Sequence, residues 1–175
     1  MQPVDSVDQL IAEWAQERPD LDASPLAVVA RLVRLSTLAI RQADAWLGPL
    51  GLSWESFSLL VTLRRAGEPF QRRPSELLAE SLLSSGAMTN RIDRVEDAGL
   101  VERLRDPNDR RGVIVQLTPR GRELADRAIE QHLLHWKELL SGLSGPQHKA
   151  LTVLLAQLLA DMELAADLRQ GAGPL

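Results

Sequence analysis

Cysteine is absent from the 175 residues. That excludes a disulfide scaffold, thiolate metal sites, iron–sulfur clusters and any cysteine nucleophile or redox switch. No apolar run approaches the roughly 20 residues needed to cross a bilayer. The opening MQPVDSVDQL has neither the basic nor the apolar region of a secretory signal. A cytoplasmic protein with no membrane partner is therefore expected. GxSxG, Walker, HExxH and dinucleotide fingerprints are all missing, which leaves an enzyme reading without nucleophile, metal motif or phosphate loop, and no cofactor is expected. Internal repeats and low-complexity tracts are missing too, and only 169–175 reads as a flexible tail.

Lysine is scarce: of 20 basic residues, 18 are Arg. A GC-rich genome produces the same excess, so the distribution matters more than the count. The net charge is −4, yet the stretch from Arg64 to Arg122 carries +3 and the remainder −7. A basic centre rich in guanidinium forks suits phosphates and guanine edges. An apolar fraction of 45% and a charged fraction of 25% are those of an ordinary globular chain.

Periodicity predicts mostly helix. Val7, Leu10, Ile11 and Trp14 share one face of a helix from about Ser6 to Arg18. Ser24 as N-cap and Pro25 at the first position predict a second helix to about Leu47, apolar around most of its circumference. Ser53 caps a third, Trp54–Arg65, and Phe70–Arg73 reads as a short extended piece. Two closely spaced helices follow, about Ser75–Glu80 and Ser85–Ala98. From Val101 the period becomes two, and strand, polar loop 107–112 and strand Val113–Leu117 read as a β-hairpin. Thr118-Pro119 starts another helix, and Ser144 with Gln147 is a capping box for a last one to about Leu168.

Helix, turn, helix and hairpin describe a winged helix-turn-helix in a mainly α (α+β) fold. The expected divisions are 1–22, an N-terminal helix covering a ligand pocket; 24–50 with 119–168, a helical dimerisation region; and 52–118, the DNA-binding unit. The outer helices carry more apolar surface than one small domain covers, so a homodimer is expected.

On a helical wheel Met88, Ile92 and Val95 fall within about 60° and must face the core. Gly86, Asn90, Asp93 and Arg94 lie roughly opposite, with Thr89 beside them. Small polar residues with Asn and Arg suit a major groove, and Ser84, Ser85 and Gly86 leave backbone N–H groups where a phosphate could sit. Arg91 flanks the core side and is poorly aimed at DNA; it serves either a structural ion pair or a ligand. At the hairpin tip Arg110 and Arg111 suit a neighbouring minor groove, with Asp109 orienting Arg111. His132 and His135 lie three apart, but with no cysteine to assist and His132 on the buried stripe they do not amount to a metal site.

The run from Leu83 through SSGAMTNRIDRVEDAGLVERLRDPNDRRGVIVQLTPRG to Gly121 resembles the MarR family of bacterial transcriptional regulators. The resemblance implies a homodimer on pseudo-palindromic double-stranded DNA, repressing until a small molecule binds. The N-terminal helix ending AEWAQERPDLD is similar to that of the urate-responsive (PecS-like) branch. By that resemblance Trp14, Arg91 and Arg103 hold the effector. Ser58 stands where the branch has an Asp, and it can hydrogen-bond but brings no charge. The expected effector is a small aromatic or phenolic anion, urate or a relative. The alternative is a winged-helix protein-interaction module without effector.

Overall fold

The computed structural model describes residues 4–81, 83–109 and 112–171. Its elements run α1 (Ser6–Glu17), α2 (Leu26–Leu47), α3 (Trp54–Arg65), β1 (Gln71–Arg72), α4 (Pro74–Ala79), α5 (Ser85–Asp97), β2 (Val101–Arg105), β3 (Val113–Leu117), α6 (Pro119–Leu139) and α7 (Gly145–Gly171). They fall into two compact units that part within α6, between Glu130 and Gln131. This is the α+β winged helix-turn-helix that the sequence predicts.

In the first unit α1 begins on a capping box. The Asp5 carboxylate accepts the Val7 and Asp8 amides, and the Asp8 carboxylate accepts the Asp5 amide. The same two acids clasp Arg31 of α2, at 2.8 and 2.6 Å. Of the expected apolar stripe, Val7 is buried and Trp14 is exposed. The cap predicted for α2 is corrected: Pro25 occupies the N-cap with no side-chain bond. The Ser24 hydroxyl donates instead to the Asp22 carboxylate, as does its own amide, so its oxygen is turned away from the helix.

The core joins Ala43 and Leu47 of α2, Phe57, Leu60 and Leu63 of α3, Leu77 of α4, the inner face of α5, and Leu124, Ala125 and Ala128 of α6. Val115 and Leu117 of β3 close it from the sheet. The sheet has three antiparallel strands with β3 in the centre. β2 pairs with it from Val101↔Leu117 to Arg105↔Val113. The extended piece after α3 becomes β1, an edge strand paired Gln71↔Gln116 and Arg72↔Val115. Phe70, just before it, has φ +60, a region costly for a bulky side chain. The guanidinium groups of Arg64 and Arg122 both lie over its ring, at 4.8 and 4.7 Å from the centroid.

The start of α6 is pinned to the turn after α5. The Thr118 hydroxyl donates to the Gly99 carbonyl and accepts the Gly121 amide. A Cβ on Gly121 would lie 1.9 Å from the Leu100 carbonyl oxygen, so only glycine allows this approach.

The second unit holds the end of α6 and α7. The Ser144 amide and hydroxyl both donate to Gln147 Oε1, the reach-back half of the expected capping box. α7 continues through Gly171, three residues into the expected tail. The remainder of that tail, 172–175, lies outside the described residues. Leu151, Val153, Leu154, Leu155, Leu159, Met162 and Leu164 are exposed along α7, as are Val28, Val29, Val33, Leu35 and Leu38 along α2. Among the described residues no helix is long and apolar enough to cross a membrane.

Gly121→Ala is expected to cost about 3 kcal/mol of unfolding free energy, because backbone rather than a flexible side chain must move. A urea midpoint unchanged from wild type would contradict that reading.

Candidate nucleic-acid interface

The site is built on α5. Ser84 caps it by accepting the Ala87 amide at 3.3 Å. Gly99, at φ +68, turns the chain away at the other end, beyond the cap residue Ala98. Between them Met88, Ile92 and Val95 are buried, as their spacing predicts. That burial leaves Ser84, Ser85, Gly86, Thr89, Asn90 and Arg94 exposed together. The Thr89 hydroxyl donates back to the Ser85 carbonyl at 3.0 Å, which leaves its methyl and oxygen lone pairs to a partner. Arg94, with a side chain 70% exposed, has Glu55 of α3 at 3.8 Å.

Arg103 of β2 lies on the flank of α5. Its guanidinium donates to Asp93 at 2.5 Å and also to Glu96, and its amide donates to Glu96 at 3.1 Å. Burial opposes the charge, but the two carboxylates hold the Arg103 guanidinium above its ordinary pKa range. This clamp fixes the strand to the helix. It also removes Asp93, placed by the wheel on the outward face, as a free negative charge. Arg91 contrasts with it. The side chain is half-buried, and burial lowers its pKa, with Glu55 pulling the other way and Arg94 adding to the fall. Among the described residues no hydrogen bond or ion pair holds the Arg91 guanidinium.

The other expected effector residues are distributed as follows. Ser58 is half-buried on α3, one turn from Glu55. Trp14 borders a cavity of about 380 Å³ shared with Leu10, Glu13 and Glu17, all on α1. So α3 and α5, which pack together, carry Ser58 and Arg91. Arg103 is committed to acids of α5, and the cavity at Trp14 is lined by none of the other three. His132, in the second unit, accepts the indole N–H of Trp136, which occupies its Nε2.

The hairpin tip shows a residue that sequence reasoning passed over. The Asp106 side chain is fully buried and accepts Arg73 Nε at 2.5 Å and the Asn108 amide at 2.8 Å. Arg73 directly precedes α4, so this pair fastens the wing to the helix-turn-helix. A Cβ on Gly112 would come within 2.9 Å of Asp106 Cβ and 3.0 Å of Asp109 Cβ, so the loop closes only on glycine. Asp-Pro-Asn-Asp is a turn signal that could have suggested a structural Asp106; nothing local links it to Arg73, 33 residues away. Arg110 and Arg111, and with them the expected Asp109–Arg111 contact, lie outside the described residues.

The Arg73 hydrogen bond, followed by the Asn108 amide, holds the Asp106 carboxyl below the ordinary carboxylate range. A lowered folded-state pKa stabilises above the unfolded value and is lost as pH falls through the folded one. Asp106→Asn should therefore destabilise the protein at neutral pH. The difference from wild type should begin to close below about pH 4, where unfolded Asp titrates, and vanish only once the pH falls past the lower folded value. Urea unfolding of both proteins across that range checks this; a pH-independent difference would remove the ion pair as its cause.

Residues 52–113 match the MarR family. The chain is 36% identical over 152 residues to the HTH-type transcriptional regulator PecS of Dickeya dadantii, covering 87% of this chain and 92% of that protein. It is 34% identical to the multiple antibiotic resistance protein MarR of Salmonella typhimurium, over 68% of this chain and 81% of the relative. Among solved structures, a mutant MarR from Escherichia coli complexed with operator DNA is similar at TM-score 0.67 and 29% identity, covering 83% of this chain and 97% of that one.

Proposed function

The chain belongs to the MarR family of DNA-binding transcriptional regulators, and from that premise we propose that it is an effector-responsive repressor acting as a homodimer on a pseudo-palindromic operator. It is a regulator rather than an enzyme, as its relatives are. The observation that carries the DNA reading is the outward face of α5. Asn90 offers the amide pair suited to adenine, Arg94 the fork suited to guanine or phosphate, and Ser84, Ser85, Gly86 and Thr89 let the backbone approach. Two such helices, one turn of DNA apart at about 34 Å, require a two-fold dimer. The long exposed apolar faces of α2 and α7 supply the surface for one. Arg110 and Arg111 are assigned to the wing's minor-groove contact, with Asp109 orienting Arg111, on sequence alone.

For the effector, Arg91 is the supporting feature: a half-buried cation with no direct partner among the described residues favours an anion. Ser58 on the facing helix offers a neutral hydrogen bond, and Trp14 an aromatic surface. Arg103 joins them only if the effector competes with Asp93 and Glu96. A small aromatic anion, urate or a relative, fits that chemistry.

Thermal melts with and without urate test the effector. Saturation at 100 times Kd stabilises by about 2.7 kcal/mol, a shift of several degrees in Tm. The shift should vanish in Arg91→Ala. An unshifted wild-type melt would discard urate, and a shift that survives Arg91→Ala would move the site elsewhere.

A further inference from the structure

The bonds that fix α1 on α2 also fix where Trp14 stands. Asp5 and Asp8 hold Arg31, and the Arg34 guanidinium donates to the Ser6 hydroxyl at 2.8 Å. The chain turns back between Glu17 and Leu26, so the two helices run antiparallel and Trp14 lies level with the first residues of α2. The α3 helix begins at the other end of α2, where the Trp54 amide donates to the Asp44 carboxylate at 2.6 Å. From Leu26 to Asp44 the helix rises about 27 Å. Ser58, one turn into α3, regains at most about 6 Å of that separation. A one- or two-ring anion held by Arg91 and Ser58 therefore cannot reach Trp14 of its own chain. In keeping with this, the cavity beside Trp14 is lined by α1 alone, and Trp14 is 44% exposed.

The surface of α2 shows what brings the two ends together. Val29, Val33, Ile40, Ala43 and Leu47 lie on one stripe at alternating steps of four and three, with Ser36 completing the spacing. The stripe is covered at one end only: Ala43 and Leu47 belong to the core, whereas Val29, Val33 and Ile40 are exposed. A second copy of α2, related by a two-fold axis near Val33, continues the covered stripe and runs antiparallel to the first. Such an axis exchanges the ends. The start of one α2 then lies opposite Ile40 of the other, only about 6 Å along the helix from Asp44. We propose that the effector site is shared between protomers: Arg91 and Ser58 of one chain are completed by the partner's Trp14. The inference rests on the reading that the chain is a homodimer and that Trp14 meets the effector. It assigns α1 of each protomer to the other's site, so that effector binding needs the assembled dimer.

The absence of cysteine makes this arrangement testable without any effector. Trp14→Cys and Ser58→Cys in the same chain, treated with a short bis-maleimide, should give a covalent dimer on a denaturing gel. A double variant that stays monomeric, or that dimerises no better than Trp14→Cys or Ser58→Cys alone, would overturn the proposal. Urate binding to mixed dimers, purified through two different affinity tags, tests the site itself. A Trp14→Ala protomer paired with an Arg91→Ala protomer keeps one intact site if the site is shared, and should take up about half as much urate as wild type. Complete loss of uptake by that dimer would place the site within one chain and overturn the proposal. Wild type paired with a chain carrying both substitutions should show the reverse, with both sites impaired. Arg91→Gln, which keeps most of the half-buried stem, replaces Arg91→Ala if that variant unfolds. Crosslinking without any urate uptake by wild type would discard urate as the effector and leave the shared site in place.

Discussion

The structure depends on α5 being held along one side only. Met88, Ile92 and Val95 are immersed in the core, and together they fix the rotation of the helix about its axis. Everything outward follows from that rotation: Asn90 and Arg94 face solvent, and Arg91 is left on the boundary. A one-residue slip would turn the helix by about 100° and bring a polar side chain into the core, at a cost of several kcal/mol. The outward face proposed to meet DNA is thus specified by the buried residues of the opposite side.

Electrostatics then settle tilt and neighbours. Arg103 ties β2 to α5, Arg73 and Asp106 tie the wing to the start of α4, and Arg31 ties α2 to the cap of α1. Arg64 pairs with Asp126 at 2.6 Å while also covering Phe70. These pairs are partly exposed, and as single contacts they are worth little. Their effect is to fix angles between elements that apolar packing leaves free to slide, and to take acids out of the surface that would repel a phosphate. An acidic chain can in this way present a locally basic face.

The parts of this arrangement legible in the sequence were those encoded within a few residues. The spacing of Met88, Ile92 and Val95, the Ser53 cap, the change of period at Val101 and Thr118-Pro119 are local, and each element formed where it was expected. What was not legible is non-local. Ser24 resembled a cap until Asp22 took its hydroxyl. Phe70–Arg73 gave no sign that it would pair with β3, or that Phe70 would adopt a positive φ under two guanidinium groups. Asp106 and Arg73 meet only because the sheet folds the wing back. Arg103 was assigned to the effector by resemblance, and nothing local showed its pairing with Asp93 and Glu96, because the turn at Gly99 had first to bring β2 beside α5.

The central claim is that the outward face of α5 meets the DNA backbone and bases. The most direct test is the salt dependence of duplex affinity for wild type and Arg94→Ala. Counterion release requires log K to fall linearly with log salt, with a loss of about 10³-fold between 50 and 200 mM for six or more phosphate contacts. Arg94→Ala should reduce the slope by about one per protomer. A wild-type affinity that is flat in salt, or an unchanged slope in Arg94→Ala, would contradict the account.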